Sequence, residues 1–364
     1  MPAGPNTWVK EGAGFSMASD FELKSDNLLG VQSGNKEEDV LKTINSVLGP
    51  LSTDKLGVTL MHEHVQGSCA GLPQVYPEFL GEDCMERIVS KLKETKEGGI
   101  DTFVDAGTFD LGRDARMLAE ASRLSGMNII AATGVGVGGV PPLLGTFDAD
   151  QWAKVFVREI TVGMEGTDIK AGIIKTASDF GGVQPSMEIA LRGMARAQVQ
   201  TGVPMTLHSY AAGQVARQQI AILKEEGVAM DRVKIDHLLD TTDLEYITWI
   251  ADQGCYLGMD RMPQDNFNPR KCVSLDGRIN TLKALIDLGY TKSICLSHDE
   301  AIVSSLIDTL PQWHRDQLHE INPHLFLFIN KVVWPRLREM GVSEATRNEI
   351  MVENPRRFFE GTPR

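Results

Sequence analysis

His62-Glu63-His64 ends a short apolar run at residues 58–61. In an extended chain, residues two apart point to one side, so both imidazoles face a single point. Other apolar runs end in groups of the same chemical kind: Lys175 closes the run 172–175, His208 follows 205–207, His237 follows 233–235 and Asp299 follows 293–296. Imidazole and carboxylate oxygen suit borderline divalent metals; zinc is the default, and manganese, cobalt or iron fit the same shell. One histidine at a strand end is ordinarily the satisfied partner of a loop carbonyl, and a lone buried lysine is ordinarily salt-bridged. Six such groups at matching ends of five runs are hard to reach by accident. Together they predict a metal site.

Something must bring those ends together. Strand-length apolar runs recur at residues 58–61, 102–104, 128–132, 172–175, 205–207, 233–235, 255–259 and 293–296. Between them lie helical patterns at 82–96, 113–125, 151–164, 186–200, 214–226, 243–252 and 281–288. Strand and helix alternating eight times predict parallel strands with crossover helices, which close as a (β/α)8 TIM barrel. Alternation alone does not show closure, and a doubly wound open sheet is the competing architecture. In a barrel the C-terminal strand ends form one rim, where catalytic groups collect. Residues 1–38, rich in Gly, Ser, Asn, Asp and Glu, read as an irregular extension, and 39–364 as a single barrel domain. The long segment 308–340, with Trp313 and Trp334, is expected to cap the barrel after the eighth strand.

Composition narrows the partners. The 364 residues carry a formal net charge of −13, which argues against nucleic acid and against an anionic membrane surface. No run approaches the roughly 18 apolar residues of a membrane span, and no secretory leader is visible, so a cytoplasmic location follows by default. Five cysteines without a C-x-x-C pair indicate neither a zinc knuckle nor a disulfide framework, and reduced, mostly buried thiols are expected.

Read as whole motifs, these segments resemble the phosphotriesterase family of the amidohydrolase superfamily. The resemblance is carried by Gly57-Val58-Thr59-Leu60-Met61-His62-Glu63-His64, Gly172-Ile173-Ile174-Lys175, Gly202-Val203-Pro204-Met205-Thr206-Leu207-His208 and Ser297-His298-Asp299. It also takes in residues 108–114, 131–134 and Glu353-Asn354-Pro355, and runs from about residue 43 to 361 in the expected order. It implies two divalent ions per chain, one held by His62, His64 and Asp299 and the other by His208 and His237. It further implies that Lys175 is carboxylated, its carbamate bridging both ions together with a hydroxide; some relatives carry Glu there. An ammonium cannot ligate a cation, whereas a carbamate offers two anionic oxygens. Asp299 would take the proton of the attacking hydroxide, and Asp240 stands where the family relays protons onward. Relatives are commonly dimers, which is the sole support for a homodimer.

The resemblance leaves the substrate open. Arg261 follows Asp260 where efficient phosphotriesterases tend to carry His and lactonase-like relatives carry Arg. Ser297-His298-Asp299 also resembles the lactonase branch, but the Tyr usual after the third strand is missing from residues 134–139. The loop 262–275 is polar and shorter than in true phosphotriesterases. Arg261 suits a carboxylic ester or lactone, with phosphotriesters as slow side substrates. A true phosphotriesterase and an amide hydrolase are the alternatives. Gly134, Gly136 and Gly139 match G-x-G-x-x-G, yet they follow the third strand and precede Val140-Pro141-Pro142 instead of a helix start, so a dinucleotide is not expected. No G-x-S-x-G occurs, which disfavours a serine hydrolase. A degenerate binding barrel would have lost a ligand, and none is lost.

Overall fold

The computed structural model describes residues 42–262, 273–308 and 310–364. The expectations for the extension 1–38, and for most of the loop 262–275, lie outside the described residues.

A hairpin of β1 (Thr43–Ser46) and β2 (Gly49–Ser52) precedes the barrel. The eight expected runs are strands β3 (Thr59–Gly67), β4 (Thr102–Asp105), β5 (Asn128–Val135), β6 (Ile173–Ser178), β7 (Met205–Ser209), β8 (Val233–Asp236), β9 (Tyr256–Met259) and β10 (Ile294–Leu296). They run parallel in sequence order. The fold is the (β/α)8 TIM barrel. Its first and last strands meet where Asp299 N donates to His62 O at 3.1 Å and His64 N to Glu300 O at 2.9 Å. A further strand, β11 (Ala301–Ser304), continues that seam by pairing in parallel with β3, and sequence reading did not foresee it.

The connecting helices follow local signals. Asp148 and Gln151 form a capping box that starts Ala149–Thr161, and left-handed Gly202 ends Pro185–Thr201. The helix expected at 281–288 begins earlier, at Leu275, because the Ser274 hydroxyl accepts from Gly277 N at 3.2 Å and caps it. Gly277 and Arg278 masked that start by breaking the apolar period. Gly134 is no phosphate-binding glycine. A Cβ there would collide with the Lys175 carbonyl, so the residue lets β5 approach β6.

Two cores result. The larger lies between strands and helices; the smaller fills the barrel with Met61, Val104, Ile130, Ile173, Tyr256 and Cys295. Phe358 and Phe359 of the C-terminal helix Asn354–Glu360 pack into this inner core. The hairpin fastens near the strand starts, where Val47 N donates to Ile129 O at 3.0 Å and Asn45 Nδ2 to Ala171 O at 3.0 Å. With that end filled, the opposite rim is left for chemistry.

Candidate metal centre

Simple alternation would not bring all the rim groups inward. In β3, Met61 lies in the inner core and Leu60 and Val65 in the outer one, yet His62 and His64 both face the centre. A register shift between Leu60 and Glu63 resets the phase of the strand. At the exits of β8, β9 and β10 the same end is reached by backbone conformation. His237, Arg261 and Asp299 have φ of 65°, 61° and 58°, in the left-handed region that non-glycine residues rarely adopt. Each costs about 1–3 kcal/mol. At His237 and Arg261 it turns inward a side chain that strand alternation would send outward, whereas Asp299 already shares the inward parity of Cys295.

The structure gathers every expected residue. Asp299 Oδ1 lies 3.5 Å from His62 Nε2 and 3.3 Å from His64 Nε2. Lys175 Nζ is 3.1 Å from His62 Nε2, and His237 Nε2 is 2.8 Å from His208 Nδ1. Asp299 Oδ2 turns the other way, accepting from Arg261 Nε at 2.6 Å, while Arg261 Nη1 donates to Asp240 Oδ2 at 2.7 Å. Arg278, fully buried, donates to the Arg261 carbonyl and stands 3.6 Å from Asp240 Oδ1. Beside His64 and Asp299 opens a cavity of about 800 Å³, walled by Leu111, Ile302, Leu318 and Ile321 with Arg87 and Arg315. The helix Gln312–Ile321 therefore stands over the rim, as expected of the segment after the eighth strand.

Burial and charge compete throughout this cluster. Burial lowers the Lys175 amine below the ordinary lysine value, although Asp236 and Asp299 oppose it. Burial likewise brings His208 down to about 4 and, with Arg261, holds His237 well below its usual range. Burial disfavours an ionised Asp299, yet Arg261, His62 and His237 prevail and hold its carboxyl well below the usual carboxylate range.

Sequence reading missed the carboxylates behind the imidazoles. Asp236 Oδ2 lies 3.0 Å from His62 Nδ1 and also accepts from Thr206, while Oδ1 pairs with buried Lys234. Asp260 Oδ1 lies 2.8 Å from His237 Nδ1. Only position marked them: Asp236 immediately precedes His237, and Asp260 ends the seventh run. Glu63, between the two histidines, points away from the centre into the barrel seam. Its Oε1 accepts from Ser297 Oγ at 2.7 Å and His298 N at 2.8 Å and faces His298 Nδ1 at 2.7 Å; its Oε2 accepts from Glu300 N at 3.2 Å.

The phosphotriesterase family profile matches residues 42–359. The chain belongs to the phosphotriesterase family. As such it is a hydrolase, and its His/Asp cluster is compatible with the binuclear metal site typical of the family. It is 34% identical over 333 residues to the phosphotriesterase homology protein of Mycobacterium tuberculosis strain H37Rv, covering 87% of this chain and 97% of that protein. It is 32% identical to the aryldialkylphosphatase of Saccharolobus solfataricus, over 85% of this chain and 96% of that one. The N-acetyltaurine hydrolase of Xenopus tropicalis is 26% identical, over 87% and 97%. Among solved structures, the phosphotriesterase from Mycobacterium tuberculosis superposes with a TM-score of 0.80 over 88% of this chain and 98% of that chain. Among the described residues, no helix is long and apolar enough to cross a membrane.

The donor set fits the metals that the family implies. Two ligands each about 2.1 Å from zinc at a tetrahedral angle sit about 3.4 Å apart, which is the separation of Asp299 Oδ1 from both His62 and His64. His62 and His64 both turn Nε2 toward Asp299 Oδ1, while Asp236 stands behind His62 at Nδ1. Nitrogens of His208 and His237 converge at 2.8 Å, and a small outward shift of the rings would open the spacing that two zinc ligands need.

Proposed function

We propose that this chain is a binuclear-metal hydrolase of carboxylic esters or lactones, with phosphotriesters as slow side substrates. The observation that carries the reading is the double grip of Arg261 on Asp299 and Asp240. His62, His64 and Asp299 would hold one ion and His208 and His237 the second; zinc is the default metal. Such a pair of ions supplies an activated water and polarises the oxygen of the electrophile.

Lys175 would join the two halves of the site. Burial favours its neutral amine, the form whose nitrogen bonds to the carbon of carbon dioxide while releasing one proton to water. The resulting carbamate turns a donor into two anionic acceptor oxygens. Asp299 keeps Oδ1 on the histidine side and Oδ2 on Arg261, so it is held ready to accept the proton of the attacking water. Arg261 cannot carry that proton onward, because a guanidinium stays protonated. It holds Asp299 and Asp240 in place and presents charge to the acyl oxygens of a substrate. The apolar wall formed by Leu111, Ile302, Leu318 and Ile321 suits an aliphatic acyl group.

A phosphotriester substrate is the second reading, favoured by the likeness to the aryldialkylphosphatase, and an amide by the likeness to N-acetyltaurine hydrolase. Metal-loaded protein assayed against lactones, aryl carboxylic esters, N-acyl amides and phosphotriesters decides among them. The proposal expects the highest kcat/KM on a lactone or carboxylic ester. A higher value on a phosphotriester or an amide overturns it in favour of that class.

A further inference from the structure

Each ring of the His208–His237 pair turns one nitrogen toward the other and the opposite nitrogen toward a carboxylate. His237 offers Nε2 inward, and its Nδ1 lies 2.8 Å from Asp260 Oδ1. His208 offers Nδ1 inward, and its Nε2 lies 3.7 Å from Asp179 Oδ2. A proton on each outer nitrogen leaves the inner lone pair free for a cation between the rings; Asp260 favours that tautomer of His237 at hydrogen-bond distance, and the Asp179 charge favours it for His208 from 3.7 Å. The two supports differ in surroundings. The Asp260 side chain is 1% exposed and that of Asp179 31%.

The backbone fixes Asp179 at this point. Ser178, the last residue of β6, accepts from Tyr210 N at 3.2 Å, which ties the exits of β6 and β7 together. The Asp179 carbonyl then accepts from Gly182 N at 3.0 Å. This turn runs through Gly181 and Gly182 at φ of 93° and 80°, conformations that glycine adopts without strain. The carboxylate is thereby presented to the outer edge of His208, 3.7 Å from Nε2.

We propose that Asp179 is a positioning residue: its charge, facing His208 Nε2, favours the proton on that nitrogen, keeps Nδ1 free toward His237, and sets the affinity of the ion held by that pair but not of the ion held by His62, His64 and Asp299. This rests on the two-ion reading above. Because water reaches Asp179 and not Asp260, the His208 side is where solvent competes for the ring.

The test strips the full chain with a chelator and titrates it with zinc against a chromogenic competitor, counting bound ions by elemental analysis. Wild-type protein should bind two ions. Asp179→Ala should keep one at wild-type affinity and bind the other about 10–100-fold more weakly. Asp179→Asn, which keeps an oxygen dipole beside Nε2 but loses the charge, should fall between them. Thermal unfolding of the metal-free proteins should be alike, and if Asp179→Ala fails to fold, the Asn variant carries the comparison. Two ions at wild-type affinity in both variants overturn the proposal, as does equal weakening of both ions. If wild-type protein itself binds a single ion, the two-ion reading fails first, and the proposal falls with it.

Discussion

Arg261 reaches Asp299 through Nε, which donates to Oδ2 at 2.6 Å, and leaves Oδ1 facing the two histidines of β3. One carboxylate thus has a fixed cationic side and a metal-facing side. Both residues adopt left-handed backbone, with φ of 61° and 58°.

Replacing Arg261 with His tests what that grip is for. Losing a charge-assisted contact costs about 1.5–3 kcal/mol, roughly ten- to a hundredfold in rate where the contact acts in the transition state. Arg261→His should depress lactone or carboxylic ester hydrolysis by that factor while phosphotriester hydrolysis holds or improves. Both rates belong on one preparation with its metal content measured. A parallel fall would reduce Arg261 to a support, and a selective fall in phosphotriester turnover would reverse the substrate ranking.

Metal content gives a second check. Protein grown with metal and bicarbonate should carry close to two divalent ions per chain. Chelation should abolish ester hydrolysis and lower the melting temperature, since ions that bind only the folded state stabilise it by mass action. One ion per chain with full activity would sink the two-metal assignment.

Lys175→Ala should remove activity together with most of the bound metal. A short carboxylic acid supplied with metal should restore part of the turnover by standing in for the carbamate. Full activity in the variant would leave Lys175 as a structural rim lysine.

The buried thiols predict a limit at alkaline pH. Burial pushes Cys255 and Cys295 up to about 12, so the folded state keeps protons that an unfolded thiol loses near pH 8.5. Stability is therefore intact below that pH and falls as pH rises toward the folded value, by up to about 1.4 kcal/mol per pH unit for each thiol. Urea midpoints at pH 7 and pH 10 should separate, and Cys255→Ala with Cys295→Ala should narrow the gap. Of the described cysteines, exposed Cys69 should react fastest with a thiol reagent at pH 8, and the two buried ones only on unfolding.

Much of this architecture was legible because the barrel repeats one local signal. Each strand is a short apolar run closed by a helix pattern, and the polar residue ending it marks the rim. What escaped reading depends on backbone states that composition does not encode. Nothing in the residue types at 237, 261 and 299 announces a positive φ, nor does Leu60–Glu63 announce a register shift. Asp179, Asp236 and Asp260 escaped for another reason. A carboxylate behind a histidine belongs to a different strand or turn, so only the closed fold pairs them. Strand β11 is four residues long and gains its partner only where β3 overruns the barrel.

Glu63 gives the site a place in time. The groups that meet this one carboxylate stand 234 to 237 residues further along the chain. At about 5–20 residues per second, the ribosome delivers Ser297 and Asp299 roughly 10–50 s after His62 and His64. During that interval the two histidines are exposed without Asp299, and the strand that fixes their spacing is unfastened. Capture at full affinity of the ion assigned to His62, His64 and Asp299 must therefore wait until synthesis has passed residue 299, which makes the finished chain, and not the nascent one, the acceptor of that ion. Stalled nascent chains ending before Ser297 should retain fewer than two zinc ions through gel filtration, and retention of two by them would place loading of this ion earlier.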